Sequence, residues 1–593
     1  LHSSQVICGE IMAKVQESTQ WVPLPLLLNW ELEQRFTGTS KIMSDGVAQA
    51  AAVADLGLDA RVKQRIVNLL PEKNQDGSIS LRQRERIRTT PNFFDKAATV
   101  TIPRGIYWAN TISRLIELWD TTLYVWSADD TYTTVTAMGS ASTGGPGGFC
   151  EGVNTAGTAY CFASTVGKSV VITSSGNTTV VDADFPASII PMPVSLDGYI
   201  FVAQQSSRSI YNSAVGDATS WAASTLIAAE EEGGFIVGLV RHHKYVVALC
   251  ENRIEFFRDA AIPAPNSPLI RVPELVQRIG CVNRATIYTY KDVTYFVGRD
   301  ASGIIGVYKL EDTKLEKISN PSIDHMMSIF GGSNKVFGLI TTWNNSTTNT
   351  NFTTGYGLMM HSKFYYSLHC NLGRVDTIST TSLDGPLSWV YDPEFKIWLE
   401  ISVNHRNTAQ TTPNVQGGWP YPFGTVITSG DANILNIKFL MQMSYGGTAN
   451  NDLAEIESTA SSGEHVSTAG GFIDPATAPF YLIQWPLTTL GTPNRKSLSG
   501  VKVMDIGFTG NTVNAGTFKR YGQYNVAGSE SSYYSISLGT PLGSVTPPEG
   551  ERVWTLRVPM GSFTQNFFIL QAGMLSTLHI SGVYLRITVH EIN

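Results

Sequence analysis

A β-rich run, a tight polar turn and a second β-rich run recur along the middle of this chain, and no other feature restricts its fold as strongly. The instances are LIELWDTTLYVW (115–126), AYCFASTVGKSVVIT (159–173), LDGYIFVAQQSSRSIYNS (196–213), VGLVRHHKYVVALCENRIEFF (237–257), IYTYKDVTYFVGRDASGIIGVYKL (287–310), KVFGLITTW with GYGLMMHSKFYYSLHC (335–370) and LSWVYDPEFKIWLEIS (387–402). Their turns fall near Asp120, Val166, Asp197, His242, Asp292, Asn334 and Pro393, roughly 40 to 60 residues apart, close to the length of a four-stranded propeller blade. Hairpins of a sandwich return faster, roughly every 8 to 12 residues. One such sheet cannot bury both faces alone, whereas about six or seven packed radially cover one another. The expected fold is all-β, a β-propeller of six or seven blades over residues 96–450.

Composition agrees with strands. Charged residues make up 15% of the chain and glycines number 53, a balance suited to short half-buried strands and tight turns. The net charge of -7 argues against tight wrapping of nucleic acid, which needs a surplus of Lys and Arg on one face. Transient contact with DNA is compatible with it, since a mildly acidic wall repels phosphates and prevents sticking. Cys8, Cys150, Cys161, Cys250, Cys281 and Cys370 lie far apart with no CxxC pair, so buried reduced thiols are expected rather than a disulfide scaffold. The apolar run 21–28 contains Pro23 and Pro25 and is too short to span a bilayer. Met12 begins MAKVQESTQW, which reads like an ordinary start, and residues 1–11 are expected to be upstream read-through or a misplaced start, and not native.

The flanks differ from the middle. Residues 1–95 form an N-terminal arm and basic segment, with a short helix expected at 47–55. Within it Arg82, Arg84, Arg86 and Arg88 alternate with Leu81, Gln83, Glu85 and Ile87, so on one strand all four guanidinium groups would share a face. They are the candidate contact for DNA phosphates or an acidic partner, set against a solvated face or ion pairs within an oligomer. Residues 451–593 open on a polar link, TASSGEHVSTAGG (458–471), followed by strand-like runs at 480–487, 499–508, 531–538, 552–560 and 582–591. These predict a separate C-terminal β-sandwich-like domain over 451–593.

No HExxH, GxxxxGK[ST], GxSxG or zinc-spaced Cys/His pattern occurs. No catalytic, metal or cofactor-binding residue is expected, and no enzyme activity. His242 and His243 read as a basic solvated hairpin tip rather than a zinc site, which needs further ligands. The acidic run 230–232 reads as a solvated loop. GDATSW (216–221) resembles the Asp-box of sialidase propellers loosely, with Gly216 before Asp217 rather than after it, and is expected to be a turn anchored by Trp221. GGPGG (144–148) lacks the residues of a phosphate loop. Trp108, Trp119 and Trp126 could stack on sugars, but strand aromatics are more often core. A glycan-binding or glycan-cleaving propeller is therefore the alternative function.

Several segments in order resemble the packaged-DNA stabilisation and tail-nozzle proteins of short-tailed bacteriophages: RIVNLLPE (65–72), DGYIFVAQQSSRSIYNSAVGDATSW (197–221), AEEEGGFIVGLVRHHKYVVALCENRIEFF (229–257), QRIGCVNRATIYTYKDVTYFVGRDASGIIGVYKL (277–310) and WVYDPEFKIWLE (389–400). RTTPNF (88–93) departs from that family's Pro-Gly-Leu step. The resemblance implies a virion tail protein, present in the host cytoplasm during assembly. It implies a homo-hexameric ring under the adaptor protein, contact with tail fibres or spikes, residues 451–593 serving as nozzle tip or fibre-docking domain, and double-stranded DNA passing transiently through the lumen.

Overall fold

The computed structural model describes residues 17–24, 26–27, 64–89, 102–128, 131–139, 145–320, 323–324, 344–346, 349–371, 387–401, 423–427, 438–442, 453–457, 480–485, 495–505, 516–522, 533–538, 552–556, 562–563, 566–573 and 579–590. The expected helix at 47–55, the segment 1–11, the link 458–471 and the turn at Asn334 lie outside these residues. The chain divides into two compact units, Glu85–Ala478 and a second that joins Leu1–Arg84 to Pro479–Asn593. This differs from the three consecutive segments 1–95, 96–450 and 451–593, because strand pairing brings the two ends of the chain into one unit.

The larger unit is a succession of antiparallel sheets. Sheet 1 comprises Pro103–Ala109, Arg114–Trp119, Thr122–Ala128 and Thr131–Val135; sheet 2, Gly148–Val153, Ala159–Ser164, Ser169–Ile172 and Asn177–Thr179; sheet 3, Ile189–Leu196, Tyr199–Gln204, Ser209–Ala214 and Asp217–Ala228. Sheet 4 comprises Ile236–His242, Tyr245–Cys250, Ile254–Asp259 and Leu269–Arg271. In sheet 5 the first strand is split into Gly280–Cys281 and Tyr288–Tyr290, followed by Val293–Arg299, Ile305–Glu311 and Lys314–Lys317. Sheet 6 pairs Asn349–Met360, Lys363–Asn371, Leu387–Asp392 and Ile397–Ile401. Sheet 7 takes Phe423–Ile427, Lys438–Gln442 and Leu453–Glu457 from late in the unit and Arg86–Thr89 from its start. Among the described residues this makes seven sheets of blade size.

Strand periodicity explains how each sheet is buried on two sides. Successive side chains point to opposite faces. In Ala159–Ser164, Cys161 and Ala163 pack with Ile116, Leu118 and Val125 of sheet 1, while Tyr160 and Phe162 pack with Ile200, Val202 and Trp221 of sheet 3. Shared apolar clusters likewise join sheets 3 and 4, 4 and 5, and 5 and 6. Sheet 7 meets sheet 1 through Leu453 and Phe423 against Ile106, Trp119 and Trp126. There the Gly105 amide also donates to Gln442 Oε1 at 3.0 Å, and Gln442 Nε2 to the Leu118 carbonyl at 3.3 Å. Each large side chain so buried contributes about 1.5–3 kcal/mol.

Two local devices shape the sheets. Asp120, Asp197, His243 and Asp292 hold left-handed backbone at hairpin tips, with φ of 47°, 51°, 53° and 62°, a conformation tight turns demand. Gly148 begins the first strand of sheet 2 so close to the Pro191 carbonyl of sheet 3 that a Cβ would overlap it. Only glycine admits that approach.

In the smaller unit Glu17–Leu24, Leu69–Lys73 and Ile79–Gln83 share a sheet with Arg495–Asp505, Arg552–Leu556, Ser562–Phe563 and His579–His590. Arg65–Val67 pairs with Phe480–Gln484, which continues through Asn566–Gly573 and Gly516–Gly522 to Tyr533–Leu538. The last strand alternates cleanly: Val583, Leu585, Ile587 and Val589 are buried, and Tyr584, Arg586 and Thr588 half-buried, as a strand with one covered face should.

Candidate axial cavity

The first strand of each of the seven sheets lines a single cavity of about 670 Å³, from Gly105 in sheet 1 to Gly424 in sheet 7. The cavity is thus the common axis of the unit. Its wall near sheets 1 and 2 is aromatic, with Tyr107 stacked on Phe149 at 5.4 Å between ring centroids. Glu151 is held there by three donors: the Tyr107 hydroxyl at 2.9 Å and the amides of Asn110 and Thr111 at 3.1 and 2.7 Å. Burial, with Glu151 beside it, holds the Tyr107 hydroxyl well above the usual phenol range.

Beyond the far ends of the inner strands lie Arg241, Lys291 and Asp292. His243 stands 3.6 Å from Asp292 and 3.4 Å from Asp312, linking the tip of sheet 4 to two turns of sheet 5. His242 corrects the expectation of a solvated tip. It is wholly buried, its Nε2 lies 2.5 Å from the Asp312 carbonyl oxygen, and burial lowers its pKa. Because a carbonyl only accepts, Nε2 carries the proton.

At the near ends of the strands the chemistry is cationic. A 3-10 turn, Arg284–Thr286, interrupts the inner strand of sheet 5. Asn283 caps it by accepting from the Ala285 amide at 2.9 Å and anchors it by donating to the Thr353 carbonyl at 3.0 Å. The turn brings Arg284 to the cavity wall, its guanidinium against Gly145, where φ is 66° and no Cβ would fit. On the other side of that loop Arg104, wholly buried, donates to the carbonyls of Gly145, Asp120 and Met138 at 2.8, 2.7 and 3.3 Å. Burial pulls the Arg284 guanidinium down to about 10, and burial together with the nearby Arg284 charge does the same to Arg104, against the opposing charge of Asp120.

The four alternating arginines do not form one face. The strand breaks after Gln83, and the two compact units part between Arg84 and Glu85. Arg82 is exposed and 3.7 Å from Glu72, whereas Arg84 is buried with Nε donating to Asn68 at 2.9 Å. A buried Arg84 reaches no phosphate, so that part of the expected contact is withdrawn. Arg86 and Arg88 sit in the outer strand of sheet 7, in register with Glu457 and Glu455.

Other expected features resolve as packing. The acidic run is no free loop: Glu230 pairs with Arg253 and Arg271, Glu232 with Arg253, and Arg271 reaches the buried Glu255 at 3.0 Å. Asp217 turns the chain through the Thr219 amide at 2.9 Å, and Trp221 is buried. Trp119 and Trp126 are core residues of sheet 1, which removes them as sugar platforms. Cys250 and Cys281 are buried, their thiols pushed up to about 12. Among the described residues no cluster of His, Cys, Asp or Glu is placed to hold a metal ion.

A family model described as Bacteriophage P22 Gp10, beta-propeller, matches residues 86–333, the span that opens on the outer strand of sheet 7 and runs through sheets 1 to 5. Residues 86–333 belong to the phage stabilisation family. The sheets of the larger unit are propeller blades. No curated protein matches the chain significantly. Among solved structures, one from S. cerevisiae of a Dbp5 variant bound to Nup159, Gle1, IP6 and ADP is 8% identical and covers 66% of this chain and 98% of that one, with a TM-score of 0.33. Another, described as a gluconolactonase, is 11% identical, covers 48% and 94%, and has a TM-score of 0.25. Likenesses of that size carry no weight for fold or function.

The residues at the cationic end, Arg104 and Arg284, carried no sequence signal. Each is a lone arginine outside the strand runs read from the sequence, and only the tertiary fold brings them to one loop.

Proposed function

We propose that this protein forms the tail nozzle of a short-tailed phage as a homo-hexameric ring, extending the adaptor channel, retaining packaged DNA and opening for its ejection. The observation that carries the reading is the family match over 86–333, in register with five successive blades. A ring of six suits a subunit whose radial blades present rigid edges, since a heterologous contact repeated around a closing rotation multiplies a modest interface into a stable assembly. Gating is then a conformational equilibrium biased by the cell-surface encounter and needs no catalytic residue. In this reading the adaptor binds one end of the ring, fibres or spikes dock on the outside, and DNA crosses the lumen without tight binding, in keeping with the net charge of -7. The exposed Arg82 is suited to a phosphate or acidic partner. Mass spectrometry of purified virions tests the proposal: the chain is expected in stoichiometry near six per particle, and its absence from particles would overturn it.

A further inference from the structure

Sheet 6 carries a side-chain cluster that the nozzle reading does not use. Lys363 opens the strand Lys363–Asn371, and Asp392 ends its antiparallel neighbour Leu387–Asp392. Lys363 Nζ lies 2.7 Å from Asp392 Oδ2 and 2.7 Å from Glu394 Oε2. Phe395 and Tyr365 flank the same nitrogen, with ring centroids at 4.3 and 5.6 Å. Asp392 is wholly buried, whereas Glu394 is exposed. Asp392 Oδ1 accepts from the amides of Glu394 and Phe395 at 2.9 and 3.1 Å. Burial raises the Asp392 pKa, against the opposing effects of Lys363 and those two amides, which brings the protonated, electrophilic form of the acid closer. One carboxylate suffices for an ion pair; this lysine has two, in different surroundings. The buried one is aligned as an electrophile. The carbon bonded to Oδ2 sits near the separation of about 3–3.5 Å from which bonds form, and two amides already point at the oxygen where negative charge would collect. The exposed one is placed as a base, within hydrogen-bond reach of the nitrogen that must lose a proton.

We propose that Lys363 and Asp392 condense to an intramolecular isopeptide bond, with Glu394 carrying the proton. Glu394 takes a proton from the ammonium, and the freed amine, a nucleophile once deprotonated, attacks Asp392 Cγ. The Nζ–Cγ bond forms and the Cγ–Oδ2 bond breaks. Two of the three ammonium protons leave with Oδ2 as water, the third remains as the amide N–H, and Glu394 ends as it began. The reaction consumes no oxidant, reductant or co-reactant. Its product ties two strands of sheet 6 covalently. The inference uses residues of the blade unit alone and is independent of the nozzle reading.

The test is mass spectrometry of the full chain, incubated in the folded state and then unfolded for measurement, together with its proteolytic digest. A chain lighter by one water is expected, and a branched peptide that joins the segments holding Lys363 and Asp392. Lys363→Arg and Asp392→Ala should each restore the full sequence mass, and Glu394→Gln should slow the mass loss by about a hundredfold, the size of a lost proton carrier. A native chain that keeps its full sequence mass would overturn the proposal, as would a water loss that persists in Lys363→Arg or a digest without the branched peptide. The branched peptide is read on the native sequence, so its presence or absence decides the matter even where a variant fails to fold.

Discussion

The two compact units use the same strands to opposite effect. In the blade unit nearly every strand pairs with its neighbour in sequence, so Tyr245–Cys250 lies between Ile236–His242 and Ile254–Asp259. In the smaller unit the decisive strand, His579–His590, pairs with Glu17–Leu24, Ile79–Gln83 and Arg495–Asp505. Local pairing makes a fold that announces itself in the sequence and closes inexpensive loops; distant pairing makes one that depends on both chain ends arriving. Sheet 7 is the exception that joins the two styles, because its outer strand Arg86–Thr89 comes from more than three hundred residues away.

The largest test of this contrast is truncation. A chain ending before His579 should lose the smaller unit's sheet outright while the blades remain, seen as two populations by limited proteolysis and hydrogen exchange. Equal protection of both units would refute the division. Next in size, Arg84→Ala should destabilise the smaller unit by about 3 kcal/mol, because it strands a buried Asn68 oxygen and leaves a cavity; chemical denaturation reads this directly. Gly148→Ala should cost the blade unit about 1–3 kcal/mol through its overlap with the Pro191 carbonyl, measured by the same unfolding curves.

Acid should act on the blades. His369 is wholly buried, with Nδ1 2.9 Å from Ser388 Oγ, and burial pulls its pKa down to about 3; His242 is lowered by burial too. The folded state therefore keeps both neutral while the unfolded chain takes up protons below about pH 6.5. Their contribution is complete above that pH and is lost as pH falls below it, by about 1.4 kcal/mol per pH unit for each group still neutral in the fold. Thermal melts between pH 7 and 4 should show the decline, and His369→Gln should flatten it. The smallest effect is expected at Arg82, where alanine should change stability by less than about 0.5 kcal/mol, since an exposed pair at 3.7 Å from Glu72 is worth little.

What could be read from sequence follows the same divide. Hairpin tips at Asp120, Asp197, His242 and Asp292 lie at or beside turns of the structure because two adjacent strands and a left-handed residue write themselves locally. The runs 335–370 and 387–402 were spaced like two blades, yet their described strands form one, sheet 6. Sheet 7 leaves little trace in the sequence: its strands Phe423–Ile427, Lys438–Gln442 and Leu453–Glu457 are short and widely spaced, and the fourth lies in the segment that reads as a basic arm. The alternation of Arg82 to Arg88 was real, but alternation cannot reveal that a strand ends at Gln83 and another starts at Arg86. Arg104 and Arg284 are invisible for the same reason, since they converge only through the packing of sheets 1 and 5 about one axis.

The central claim, a phage nozzle built from blade-bearing subunits, is tested most directly by electron cryomicroscopy of intact tails. The account predicts a sixfold ring below the adaptor, with a seven-bladed disc in each subunit's density. A tail of different symmetry at that position, or six densities with no disc that accommodates residues 86–457, would contradict it.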